Sequence, residues 1–226
     1  MKKNDYLWAA ALLGVVLFLI HPVTNNLFVT VTKVHPYVMG FIKISILATM
    51  GDLLAVRITS GEFKRRPGIL YRFIVWGFLG MAFVLVFDLF ANGVSGAMKD
   101  GLLQKAADGS LLKAFFSSLF NNLIFAPTFM AFHRIIDTYI DMGEGRLGRI
   151  LKVRLVDVVH GISWHDFISF VVLKTIPIFW IPMHTITYML PNEYRILMLA
   201  FLSIMLGVIM ALAKKRNLEV NHAKLY

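Results

Sequence analysis

The chain has 226 residues, 58% of them hydrophobic and only 16% charged, with no cysteine and a formal net charge of +10. Soluble domains carry roughly 25% charged residues, and a mean hydropathy of +0.71 leaves more apolar surface than a soluble core of this length can hide. Composition therefore excludes an ordinary soluble domain, disulfide or thiolate-metal chemistry and a cysteine nucleophile. It predicts an all-α, polytopic transmembrane helix bundle forming one domain over residues 1–226, whose positive charge meets anionic lipid headgroups and not nucleic acid.

In chain order, the apolar run behind Lys2 and Lys3 predicts a first span over about residues 6–23. It has the look of a secretory leader, but His21-Pro22-Val23-Thr24 offers no small-residue cleavage site, so a retained span is expected. Further spans are predicted over about residues 38–56, 70–91, 111–132, 164–187 and 195–213. Most approach the roughly 20 residues that cross a bilayer. Between the fourth and fifth, Leu147, Ile150, Leu151, Leu155, Val158 and Val159 recur at helical spacing, which predicts an amphipathic interfacial helix over about 145–162.

The lysine and arginine distribution gives a topology. With the N-terminus inside, the inner segments hold Lys2, Lys3, Arg57, Lys64, Arg65, Arg66, Arg72, Arg134, Arg146, Arg149, Lys152, Arg154, Lys214, Lys215, Arg216 and Lys224, sixteen in all. The outer loops hold five, Lys33, Lys99, Lys105, Lys113 and Arg195. Both termini are expected on the cytoplasmic side. The MKKN start has no Arg/Ser-rich presequence, which favours a bacterial cytoplasmic membrane over a mitochondrial inner or peroxisomal one.

Ionisable residues inside spans are expensive and point to function by default. Lys43, Asp52, Asp88 and Lys174 are of this kind. Lys43 and Asp88 both fall within about 8 Å of the outer ends of their spans, and the Lys174 stem reaches toward the depth of Asp52. Two interhelical pairs are expected, Lys43–Asp88 at the outer end and Lys174–Asp52 in the interior. Span two carries the small residues Ser45, Ala48, Thr49 and Ala55, and span three Gly77 and Gly80, which permit close helix approach.

Span four has a polar turn, Ser117, Ser118, Asn121 and Asn122, ahead of Pro127. Span five is broken by Pro177 and Pro182. Each proline lacks a donor and leaves the carbonyl one turn back unpaired, at Leu123, Leu173 and Ile178. On a 3.6-residue wheel His184 shares a face with Lys174 and Pro177. Asp52, Asn121, Asn122, Lys174 and His184 are therefore the candidate pore or polar-core residues, with Pro127, Pro177 and Pro182 as kinks. No hydrolase, P-loop, zinc-protease or dinucleotide motif is present, so no enzyme activity, cofactor or metal is expected.

The order of four local patterns over roughly residues 35 to 213 resembles the Mpv-seventeen / twenty-two-kilodalton peroxisomal membrane protein family. His35-Pro36-Tyr37 opens span two, Gly51-Asp52 follows within it, Phe125-Ala126-Pro127 lies in span four, and Pro191 with Tyr194-Arg195 precedes the last span. The chain departs from the family pattern at Asn121-Asn122, Met183, Ile186-Thr187 and Leu206-Gly207. The resemblance implies a small membrane bundle with channel-like permeability toward an unsettled small solute, and a homo-oligomer fits so narrow a bundle. The rival readings are a non-conducting scaffold or assembly partner, and the substrate-binding subunit of a multi-component importer.

Overall fold

The computed structural model describes residues 3–64, 66–104 and 110–223; Lys2, Arg65, Lys105 and Lys224 of the charge count lie outside them. Among the described residues the chain is 87% helical with no strand. Six helical stretches among the described residues are long and apolar enough to cross a membrane: Lys3–Ile20, Pro36–Ser60, Ile69–Lys99, Ser110–Met142, Trp164–Met189 and Asn192–Ile209. The protein is an integral membrane helix bundle.

The bundle is built around α3 (Pro36–Ser60). Pro36 sits in its first turn, where a missing donor costs nothing, and Gly61 closes it in the left-handed conformation at φ 76°. Its buried side, Ile44, Leu47 and Ala48, packs between α4 (Ile69–Lys99) and α11 (Asn192–Ala223). The α3–α4 crossing depends on two glycines. A Cβ on Gly40 would stand 2.8 Å from the Gly80 carbonyl oxygen, and one on Gly80 would stand 2.8 Å from the Ile44 Cβ.

Against α3, and running in the opposite direction, lies α1 (Lys3–Ile20). Asp5 takes both ends of the Arg57 guanidinium at 2.6 and 2.9 Å, and Trp8 Nε1 donates to the Met50 carbonyl at 3.0 Å. None of its residues is buried, as suits a span with one face on lipid. A second helix, α2 (Pro22–Val34), follows that composition did not predict. Pro22 cannot donate to the Phe18 carbonyl, and the Thr24 hydroxyl donates to that carbonyl instead, while Asn25 Nδ2 donates to Leu19 at 2.8 Å. The helix then packs Phe28 and Thr32 inward, and Asn25 Oδ1 accepts from the Tyr194 hydroxyl at 2.9 Å.

Two long stretches are wound unevenly. Ser110–Met142 consists of α5 (Ser110–Phe120), a π-helical turn Asn121–Phe125, and α6 (Ala126–Met142). Trp164–Met189 consists of α9 (Trp164–Asp166), a π-helical segment Phe167–Trp180, and α10 (Ile181–Met189). The N–H of Ala126 reaches the carbonyl of Asn121, and that of Ile181 reaches Ile176, each five residues back. A proline clashes with the carbonyl four residues back in an α-helix; the wider π turn relieves that clash around Pro127, Pro177 and Pro182. The expected α-turns broken at Leu123, Leu173 and Ile178 are thus replaced by a change of winding.

The segment between these stretches is helical in two short pieces, α7 (Leu147–Ile150) and α8 (Leu155–Gly161), instead of one helix over 145–162. Arg154 breaks it with extended backbone, φ −84° and ψ 142°. Its guanidinium grips Asp157 at 2.8 and 2.9 Å, and these hydrogen bonds hold the Asp157 carboxyl below its ordinary range. Val158 is fully buried against α6, while Leu147, Leu151, Leu155 and Val156 stay exposed.

Buried cations mark the two ends of the bundle. At one, Arg72 of α4 is ion-paired to Asp137 and, at 2.6 Å, to Asp141 of α6. At the other, Lys43 of α3 lies 4.4 Å from the Phe28 ring centroid and donates to the Glu193 carbonyl at 3.0 Å. α1 starts at the Arg72 end, and α11 runs toward it from the Lys43 end.

Candidate functional site

Between α3, α4 and α11, with the two broken helices closing the side, lies a cavity of about 450 Å³. Its walls are aromatic: Phe83, Phe125 and Phe129 form one cluster, with Phe83–Phe129 centroids 4.7 Å apart. Asp52, Trp76, His133, Arg134 and Asp137 line it toward the Arg72 end, and the exposure of Arg134 shows that it reaches the surface there. Trp76 Nε1 donates to Asp52 at 3.4 Å, and the Trp76 and His133 ring centroids lie 4.2 Å apart with the planes tilted by 36°.

A second cavity of about 360 Å³ occupies the Lys43 end, lined by Thr32, Lys33, Lys43, Asp88, Glu193 and Arg195 among others. Lys33, with a side chain 63% exposed, opens it to the surface. The boundary falls at one level on three helices. The first cavity begins at Ile44 on α3 and Leu199 on α11; the second ends at Lys43 and Ile196. On α4 the shared residue is Phe87, the one described side chain that lines both cavities. Phe87 is 2% exposed, stacks on Tyr188 at 4.9 Å and meets the His184 ring edge-on at 5.4 Å. From Pro36 to Ala55, the limits of the two linings on α3, is about 28 Å at ~1.5 Å per residue, close to the roughly 30 Å of a bilayer's hydrocarbon core.

Part of the first cavity's lining is polar: Asn121, Asn122 and His184 belong to it and are all buried. Ser118 Oγ donates to the Ile181 carbonyl at 2.7 Å, tying α5 to α10. Asn122 Nδ2 donates to the Ser118 carbonyl at 2.8 Å and lies 3.0 Å from His184 Nδ1. A carbonyl only accepts, so the amide nitrogen must be the atom facing it. His184 Nδ1 then accepts, and the imidazole carries its proton on Nε2. This leaves Asn122 Oδ1, His184 Nε2 and Trp180 Nε1 buried without a hydrogen-bond partner among the described residues.

Of the sequence-predicted residues, Asp52, Asn121, Asn122 and His184 line one cavity. Lys174 does not. It is exposed beside Leu173 and near Ile178, which are 65% and 75% exposed. The expected Lys174–Asp52 pair is therefore absent; Asp52 takes the Trp76 indole instead. The cause is the π winding of Phe167–Trp180, which shifts the face so that His184 points inward while Lys174 points away. The Lys43–Asp88 pair is absent as well. α2 places Phe28 beneath the ammonium and the Glu193 carbonyl accepts a hydrogen bond from it, while Asp88 accepts from Asn92 at 3.0 Å. Asp88 and Lys43 still line the second cavity together.

Sequence reasoning missed Phe87, Trp180, His133 and the Arg72–Asp137–Asp141 cluster. Phe87 and Trp180 are ordinary residues of apolar spans, and nothing in their local pattern marks them. In the sequence Arg72 counts only as one of the inner-segment charges, although Asp137 and Asp141, four apart on α6, share a helical face. No protein-family model, no curated protein and no solved structure matches the chain.

Proposed function

We propose that this integral membrane protein is a solute-permeation protein whose path runs through the two cavities and is closed between them by Phe87. The observation that carries this reading is the shared wall. Two cavities that reach opposite ends of the bundle meet at a single aromatic side chain, itself held by Tyr188 and His184. Asp52, Asn121, Asn122 and His184 line the larger chamber and replace the hydration of a passing solute, and the phenyl walls keep the chamber narrow. A bundle of this size gives one narrow path per chain, and a homo-oligomer of such chains is part of the reading. The excess of lysine and arginine supports a topology with the Arg72 end and both termini on the cytoplasmic side. The four sequence patterns support kinship with the Mpv-seventeen / twenty-two-kilodalton peroxisomal membrane protein family.

Flux of small neutral solutes in proteoliposomes tests this reading. Phe87→Leu, which stays apolar but is smaller and removes the flat ring, is expected to raise solute flux at least several-fold over wild type in protein that stays folded. Unchanged flux in both Phe87→Leu and Phe87→Ala, each verified as folded, would refute the shared-wall path. A second reading, a substrate-binding subunit of a multi-component importer, is favoured by the unpartnered buried atoms around His184. It predicts tight binding with no flux from the chain alone.

A further inference from the structure

We propose that the second cavity, at the Lys43 end, binds a small free zwitterion: an ammonium and a carboxylate on a short carbon chain, as an amino acid presents them. This deepens the permeation reading, on which the onward passage of the solute rests, by giving the path a solute class. Five charged side chains line this cavity of about 360 Å³: Lys33, Lys43, Asp88, Glu193 and Arg195. One ion pair joins them, Lys33 to Glu193 at 3.5 Å. Two cations and one carboxylate, Lys43, Arg195 and Asp88, are left on the wall of one space without an opposite charge in contact. Charges inside a membrane bundle are costly unless paired, and Lys43 is only 6% exposed.

Each of the three keeps bonding capacity for a ligand. An ammonium carries three donors; that of Lys43 gives one to the Glu193 carbonyl at 3.0 Å and rests 4.4 Å from the Phe28 ring centroid, which leaves a donor over. Arg195 uses Nε and Nη2 on the Leu190 and Tyr188 carbonyls, both at 3.1 Å, and its Nη1 makes no hydrogen bond among the described residues. The two bonds to main chain fix the guanidinium before any ligand arrives. Asp88 is exposed and accepts from Asn92 through Oδ2 alone, so Oδ1 is open. Lys43 and Arg195 suit a carboxylate, through charge-assisted hydrogen bonds, and Asp88 suits an ammonium. A simple anion would leave Asp88 unanswered, and a simple cation would leave Lys43 and Arg195 so. Val84 and Phe87 add apolar wall for the short chain, and the volume stands toward the low end of the range for small-molecule sites.

Calorimetric titration of the full chain in nanodiscs made without ethanolamine lipid tests the site. The probes are glycine, β-alanine and 4-aminobutyrate, beside propionate, which lacks the ammonium, and propylammonium, which lacks the carboxylate. The tightest zwitterion is expected to bind at least about tenfold more strongly than either control, because hydrogen bonds to charged groups are the stronger ones. Lys43→Met is expected to remove its advantage over propylammonium, and Asp88→Asn its advantage over propionate. Asp88 is exposed, so the second variant reports on the site even where the first fails to fold. Propionate binding as tightly as the best zwitterion, or no binding of any zwitterion by folded protein, would overturn the proposal. Loss of zwitterion affinity in discs rich in phosphatidylethanolamine would overturn it too, by assigning the cavity to a lipid headgroup with the same two charges. Zwitterion binding without solute flux would remove the permeation reading and leave this site standing; faster flux in Phe87→Leu without a zwitterion preference would do the reverse.

Discussion

Replacing Gly80 by alanine is the sharpest perturbation of the bundle. The new methyl carbon would lie against the Gly40 carbonyl oxygen, 2.9 Å from its carbon and 2.8 Å from the Ile44 Cβ. Carbon atoms sit comfortably at about 3.5–4.0 Å, so α3 and α4 must separate by roughly 1 Å. The obstacle is backbone, which cannot rotate aside. Opening a packed face by ~0.5–1 Å forfeits a quarter to a half of each contact, and this face includes the edge-on Phe41–Phe73 and Phe41–Phe78 pairs at 6.4 and 5.8 Å. Overpacking of this kind costs about 1–3 kcal/mol, and the upper half of that range is expected. Gly96 on the same helix is the control. A Cβ there meets nothing within 4 Å, so Gly96→Ala is expected to leave stability unchanged or raise it by up to about 1 kcal/mol. Reversible unfolding of both variants in mixed micelles measures the difference. A Gly80→Ala protein as stable as Gly96→Ala would refute the close α3–α4 crossing.

Other predictions concern charges and caps. Arg72→Met strands Asp137 beside a buried site and is expected to cost about 3 kcal/mol, the lower end for a broken buried pair because Asp141 is half exposed; adding Asp137→Leu should recover part of it in a double-mutant unfolding cycle. Lys174→Met is expected to leave both solute flux and its selectivity unchanged, since the ammonium faces away from the cavity; altered selectivity in reconstituted vesicles would contradict the π-wound face. Ser118→Ala removes the donor to the Ile181 carbonyl and should lower unfolding stability by about 1–3 kcal/mol, read in the same micelle assay.

The spans were legible because apolar composition over some 20 residues is a property of the whole stretch and survives errors in winding. The site was legible in part, for the same reason in reverse: Asn121, Asn122, Asp52 and His184 are polar where polarity is costly, so burial in a common core was the natural expectation. Partner assignments failed because they relied on depth along the spans, which does not say which way a side chain faces. A π-helical segment of fourteen residues accumulates a phase error that no 3.6-residue wheel reveals, and this error displaced Lys174. The Lys43 assignment failed because α2, with its Thr24-Asn25-Asn26 start, reads as a loop by composition. Its helix begins only because side-chain hydroxyl and amide groups take over the carbonyls around Pro22. Phe87 carries no sequence signal, since a phenylalanine in an apolar span is unremarkable until two cavities are found on either side of it.

The most direct test of the central claim uses the absence of native cysteine. Single Ser203→Cys and Asp88→Cys variants place one thiol in each cavity, and a membrane-impermeant thiol reagent is added to either side of oriented proteoliposomes. The account predicts that Ser203→Cys reacts only from the Arg72 side and Asp88→Cys only from the Lys43 side, and that Phe87→Leu lets each be reached from both. Reaction of both thiols from one same side with Phe87 intact would contradict two cavities meeting at a closed wall.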